Sequence, residues 1–237
     1  MTSRPLKLAL EASFEQLSAA VPATIGIAIA RPDRIYSLGR WSSGVAWSTI
    51  KVPLAIAALR SDRRRARDLA VKAITESDNH ASEQLWSRLG DPAVAARRVQ
   101  AVVAECGDAA TVVESRRLRR GFTAFGQTQW TLHRQARFAA QLPSIPDAAD
   151  VIDLMQHLTT GQRWGLAAKG IAAKGGWGPG VDGEYLVRQF GIVATQSSHW
   201  GVALAAEAHD GVFDTGVEVV NTLSDWLFSR LPGLARY

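Results

Sequence analysis

The stretch AWSTIKVPLAIAALR, Ala46 to Arg60, sets a serine three residues before a lysine at the mouth of an apolar helix. Ser48 is the only serine in the chain with a lysine three positions on. Residues i and i+3 share a helix face, so Ser48 and Lys51 would present a hydroxyl and an amine side by side. Two readings follow: a nucleophile beside its base, or an N-cap serine followed by a solvated lysine. Pro53 falls within the first turns of this helix, where its missing N–H costs least.

Upstream, Glu11 to Ala19 reads as the end of an amphipathic helix. ATIGIAIARP (23–32) is short, apolar and bounded by prolines, which predicts a buried strand; RIYSLGR predicts its partner through a Pro32-Asp33 turn. Trp41 to Trp47 reads as loop. Downstream, from Leu54 to Leu158, the patterns DLAVKAITE, SEQLWSRLG, PAVAARRVQAVVAEC, TLHRQARFAAQL and AADVIDLMQHL are helical, and GFTAFGQTQW has no period. After Gly161 come three predicted strands, LAAKGIAAKGG, YLVRQFGIVAT and WGVALAAEA, then an amphipathic helix in GVEVVNTLSDWLFSRL. Strands at both ends and helices between them predict an α/β (α+β) fold. One antiparallel sheet forms from the N- and C-terminal segments and is flanked by helices. The expected organisation is a single domain, 1–237, with a sheet lobe (1–48 plus 159–237), an inserted helical lobe (49–158) and a cleft between them.

Two further motifs align with Ser48-Thr49-Ile50-Lys51: Ser77-Asp78-Asn79 in TESDNHASEQLW, and Lys174-Gly175-Gly176 at the end of GIAAKGG. S-x-x-K, S-D-N and K-T-G in this order and context mark the serine β-lactamases and penicillin-binding proteins, and the chain resembles that superfamily over nearly its whole length. The resemblance implies a serine hydrolase that forms an acyl-enzyme at Ser48. Lys51 would be the base and Ser77 a proton relay to the leaving group. Asn79 would hold the substrate amide and orient Lys51, and Lys174 would supply positive potential. It places the oxyanion hole on the backbone N–H groups of Ser48 and Trp177, and makes Gly176, Trp177 and Arg188 substrate-binding candidates. Lys169-Gly170 competes with Lys174, which is preferred for the glycine-led GGWGPG that follows it.

The departures are informative. Gly175 stands where the family has Thr or Ser, a hydroxyl that helps hold the substrate carboxylate. Arg188 could replace it by bidentate pairing, or could be a surface arginine. Class A β-lactamases also carry a water-activating glutamate with a nearby Asn after S-D-N. Here VVESRRLRRGFTAFGQTQW holds one acidic residue, Glu114, and no Asn. Glu114 reads either as that base or as a solvated glutamate among arginines. The segment from Lys51 to Ser77 is shorter than the family's, so a reduced helical lobe and a more open cleft are expected. Weak β-lactam turnover follows, and a non-catalytic penicillin-recognising module is the alternative. Trp41, Trp47 and Trp177 flank the motifs as cleft walls or as packing.

Composition narrows the partners. The chain of 237 residues is 47% hydrophobic and 21% charged, an ordinary globular balance. No apolar run reaches the ~18 residues of a membrane span. The N-terminus lacks a signal-peptide core, because Lys7, Glu11 and Glu15 interrupt it. The expected location is the cytoplasm, or the cell envelope where a leader has been removed. The net charge of +5 gathers in RSDRRRARD and RRLRR, which read as solvated faces with no nucleic-acid motif beside them. Five histidines form no HExxH or Cys/His cluster, so no metal and no cofactor are expected. The expected substrate is a small-molecule or peptide amide or ester, such as a peptidoglycan stem peptide or a β-lactam.

Overall fold

SRPLKLALEASFEQLSAA forms helix α1 (Ser3–Ala20), and the apolar run after it forms strand β1 (Ala23–Ala30). Strand β2 (Ile35–Gly39) pairs antiparallel with β1, setting Ala30 opposite Ile35. The Pro32-Asp33 turn expected between them lies outside the residues described by this computed structural model, which are 3–31, 34–195 and 199–230. The segment expected as loop carries a short strand, β3 (Ser43–Val45), paired with β4 (Gln129–Thr131) from the stretch that had no period. Three-residue strands lie below the length at which alternation can be recognised.

Strands β5 (Ala172–Pro179), β6 (Tyr185–Ala194) and β7 (His199–Ala208) complete an antiparallel sheet in the order β2-β1-β7-β6-β5. The N- and C-terminal segments therefore meet at the β1–β7 pair. β5 starts later than LAAKGIAAKGG suggests, because Ala167–Lys169 is a 3-10 turn that ends at left-handed Gly170.

Alternation along the strands sorts two cores. Ile25, Ile27, Ile29, Val202, Leu204 and Val187 face α1 and the closing helix, α8 (Phe213–Phe228). Ala28, Ala30, Ala203, Ala205 and Phe190 face the helical side. That second face is built of small residues, which lets α6 (Leu132–Gln141) lie directly on the sheet. At Gly201 a Cβ would stand 1.9 Å from Ala136 O and 2.4 Å from Ala140 N.

The other helices are α2 (Lys51–Ser61), α3 (Arg63–Val71), α4 (Asn79–Arg88), α5 (Pro92–Glu105) and α7 (Ala149–Gln156). Asp62, Asp78 and Asp91 cap α3, α4 and α5, each accepting the backbone N–H of the third residue of its helix. α2 is buried from Lys51 to Leu59, so it forms the axis of the helical side. Gly201→Val is expected to overpack the α6 contact and destabilise the fold by about 1–3 kcal/mol. An unchanged denaturation midpoint would show that α6 does not bear on β7 at this point.

Candidate active site

Ser48 sits in a single 3-10 turn, Trp47–Ile50, that leads into α2. The turn has no side-chain cap, and Lys51 is only 1% exposed, so neither half of the cap-and-solvated-lysine reading describes this structure. Trp47, just before the serine, has a left-handed backbone (φ +50°), which is strained for a bulky residue. The turn rests on β5. A Cβ at Gly176 would lie 2.8 Å from Ser48 N, 2.9 Å from Ala46 O and 3.0 Å from Thr49 N. Only glycine lets the strand come this close.

Ser77 closes a π-helical turn, Lys72–Glu76, and is itself left-handed (φ +60°). π-helical turns are rare and recur at functional sites. Thr159 holds this turn, donating its N–H and its hydroxyl to Thr75 O, both at 3.0 Å. Asn79 is the first residue of α4.

These elements bring four of the motif side chains together. Lys51 Nζ donates to Asn79 Oδ1 at 2.8 Å and to Ser77 O, with Ser77 Oγ at 3.4 Å. Lys174 Nζ donates to Ser77 Oγ at 2.9 Å and to Gly175 O at 3.1 Å. Ser77 thus stands between the two lysines. Among the described residues no hydrogen bond reaches Ser48 Oγ, and both amines lean toward Ser77.

Burial disfavours the charged form of an amine. It lowers the Lys51 pKa to about 7, against a smaller opposing pull from the Asp78 carboxylate. Burial, and then the nearby Lys51 charge, hold fully buried Lys174 well below the ordinary lysine range. Lys169 is instead paired with Asp225 near the surface, so the competing lysine lies outside the constellation.

Ser48, Ser77 and Asn79 line a cleft of about 220 Å³, walled by Trp47, Trp177, Phe122, Thr123 and Tyr185. Trp41 is no wall: it is buried, and its Nε1 donates to Glu207. Gly175 does not line the cleft, and a Cβ there would meet the Trp164 ring at 2.4 Å.

Arg188 matches neither of its expected positions. It is fully buried, donating to Gly44 O, Val45 O, Trp130 O and Gln135 Oε1 at 2.9–3.0 Å, so its guanidinium is neither a surface group nor turned toward the cleft. Burial without a carboxylate lowers its pKa to about 9, which leaves it charged at neutral pH.

A family model described as the beta-lactamase enzyme family matches residues 61–231, more than two thirds of the chain. The chain belongs to the beta-lactamase family. The match includes Ser77, Asn79 and Lys174 but starts beyond Ser48 and Lys51, which rest on their motif and geometry alone. The solved structure of a class A beta-lactamase from Bacteroides cellulosilyticus superposes with a TM-score of 0.75 at 15% identity, covering 95% of this chain and 98% of the other. A beta-lactamase from Chitinophaga pinensis gives 0.75 at 14%, covering 94% and 99%. One from Mycobacterium abscessus gives 0.72 at 15%, covering 94% and 99%. No curated protein matches in sequence. At these identities the likeness is one of fold.

Set on this family fold, Glu114 follows the second of its two sequence readings, a glutamate beside arginines, rather than the water-activating base. Glu114 does not line the cleft. Its carboxylate is bonded by the side chain and the N–H of Arg116 and by the N–H of Ser115, which hold its pKa below the usual carboxylate range. Phe122 and Thr123 face Ser48 instead, and among the described residues lining the cleft none is acidic.

The loop is also fastened to the sheet. Arg119, read from sequence as solvated, donates to Pro179 O at 2.7 Å and Gly180 O at 3.4 Å, stacking 4.7 Å over Phe122 and 5.8 Å over Trp47. It ties the loop to the end of β5. No sequence signal distinguishes Arg119 from the arginines beside it.

Lys51 labelled at Cε is expected to titrate by NMR near pH 7, protonated below and neutral above. A midpoint near the ordinary ~10.4 would mean that water reaches the amine.

Proposed function

We propose that this beta-lactamase family member is a serine hydrolase that forms an acyl-enzyme at Ser48. The observation carrying this reading is the buried, low-pKa Lys51 held against Ser77 and Asn79, with Lys174 on the far side of Ser77. A neutral Lys51, one turn from Ser48, takes the hydroxyl proton as Oγ attacks the substrate carbonyl. The N–H groups of Ser48 and Trp177 stabilise the oxyanion. Ser77 Oγ, which accepts a hydrogen bond from Lys174, gives its proton to the leaving group and takes up the one Lys51 gained from Ser48. The substrate is an amide or ester, with β-lactams and peptidoglycan stem peptides as its chemical types.

Among the described residues lining the cleft no carboxylate stands ready to activate the deacylating water, so β-lactam turnover is slow. This same observation favours a second reading, a penicillin-recognising module that binds without turnover. A fluorophosphonate or a labelled penicillin is expected to add one label, lost in Ser48→Ala and slowed ~10²–10⁴-fold in Lys51→Ala. Intact mass over time separates the readings. Slow release of the penicilloyl group supports the hydrolase, and a permanent adduct supports the module. Labelling that survives Ser48→Ala sinks both. The labelling rate should fall about tenfold per pH unit below about 7, because Lys51 gains its proton there; a flat profile would remove Lys51 as base.

Carboxylate recognition is altered. Trp164 fills the space a side chain at Gly175 would need, and Arg188 is engaged inside the protein. One charge-assisted hydrogen bond, worth ~1.5–3 kcal/mol, is absent. The expected preference is for acyl substrates without a free carboxylate, weaker on the free acid by roughly 10- to 100-fold relative to family members that keep the hydroxyl. Matched free and methylated substrates test this. A wide preference for the free acid would show that another group reads it.

A further inference from the structure

We propose that Arg188 is a positioning residue for Ser48, acting through a buried hydrogen-bond relay of Gln135 and Thr49. The proposal rests on acyl transfer at Ser48. Arg188 and Gly176 are direct partners across the β5–β6 ladder, so their side-chain positions share a face. The missing Cβ of Gly176 admits the turn that carries Ser48, and the Arg188 side chain grips that turn from beside it.

Nη1 binds Gly44 O and Val45 O, each at 3.0 Å, fixing the two residues that lead into the turn. Nη2 binds Trp130 O at 2.9 Å and Gln135 Oε1 at 3.0 Å. Gln135 Nε2 donates to Thr49 Oγ1 at 2.9 Å, and Thr49 Oγ1 donates to Ala46 O at 2.6 Å. Ala46 N is held by Thr128 O at 2.8 Å. The relay thus pins both sides of Trp47 and Ser48. Strained backbone persists only where its surroundings over-determine it, and Trp47 is the strained residue here.

The chemistry calls for arginine. A planar fork meets four acceptors in fixed directions, which the three donors of a lysine cannot do. Thr49, Gln135 and Arg188 are each 0% exposed, so every bond in the relay is dry, and losing one strands its partner. Gln135 lies on α6, which makes the nucleophile's placement depend on a helix 86 residues away in sequence. The turn and β5 each carry one of the two N–H groups assigned to the oxyanion. Their spacing follows from how the turn is seated.

The test uses saturation kinetics of fluorophosphonate labelling, with amide exchange over residues 46–50. Thr49→Val keeps the shape and removes the hydroxyl. It is expected to lower the maximal labelling rate roughly 10- to 100-fold, the scale of a small misplacement of reacting groups. Half-saturation and the pH midpoint should stay unchanged, and amide exchange at 46–50 should quicken. Thr49→Ser restores the rate and the exchange. Gln135→Met and Arg188→Lys should behave like Thr49→Val. If Arg188→Lys fails to fold, the Thr49 pair and Gln135→Met decide. A folded Thr49→Val with wild-type maximal rate and wild-type exchange overturns the proposal. If the wild type takes no label, the hydrolase reading fails by itself; exchange at 46–50 then decides the relay, and no change in Thr49→Val overturns it.

Discussion

The seating of the Ser48 turn on strand β5 governs the rest of the site. Contact this close is possible only where a strand lacks side chains on the facing side. β5 is an edge strand held by β6, and the turn lies on the face to which the missing Cβ of Gly176 would point. Its sequence AAKGGWGP then reads as a strand whose missing side chains are supplied from elsewhere. Trp164 covers Gly175 at 2.4 Å, the Ser48 turn covers Gly176, and the Trp47 ring covers Gly178 at 2.3 Å from where a Cβ would be. Each glycine gives up strand propensity and gains a tertiary contact. Lys174, between Ala173 and Gly175, is the long side chain this segment sends toward Ser77.

Three cations are buried around this seat, and their fates differ for one physical reason. Removing a charge from water is costly unless it is paired, and a group able to lose its proton is pushed toward its neutral form. Lys51 and Lys174 can, and both are pushed below the ordinary lysine range. Arg188 keeps its charge and spreads it over three backbone carbonyls and one side-chain amide. The same desolvation therefore yields amines able to exchange protons and a guanidinium that acts as a rigid clamp.

The loop that follows Ser77-Asp78-Asn79 has exchanged one kind of group for another. Its acidic residue, Glu114, is spent on the loop's own N–H groups and on Arg116. Its cleft-facing surface is Phe122 and Thr123, fastened to β5 by Arg119. Aromatic cover supplies no base, and on the proposed acyl-enzyme mechanism that is what would make the intermediate long-lived.

Local periodicity and motif order were enough to place the five-stranded sheet, its closing helix and the helices between. These features rest on residues near one another in sequence: alternating apolar positions, Asp62, Asp78 and Asp91 at helix starts, and Ser48 and Lys51 one turn apart. The three motifs also named the side chains that converge on Ser77, because their chemistry limits them to few residue types. What sequence could not decide was direction and partnership. Arg188 reads alike whether it faces substrate, solvent or core, since its place depends on carbonyls more than 140 positions away in sequence. Glu114 and Arg119 carry no mark of their roles, which were settled by the path of an aperiodic loop. Gly175 reads as a lost hydroxyl, and only the Trp164 ring packed against it shows why glycine is there. Patterns along the chain record which face a residue takes; the atoms it meets there come from distant segments, and packing alone brings those together.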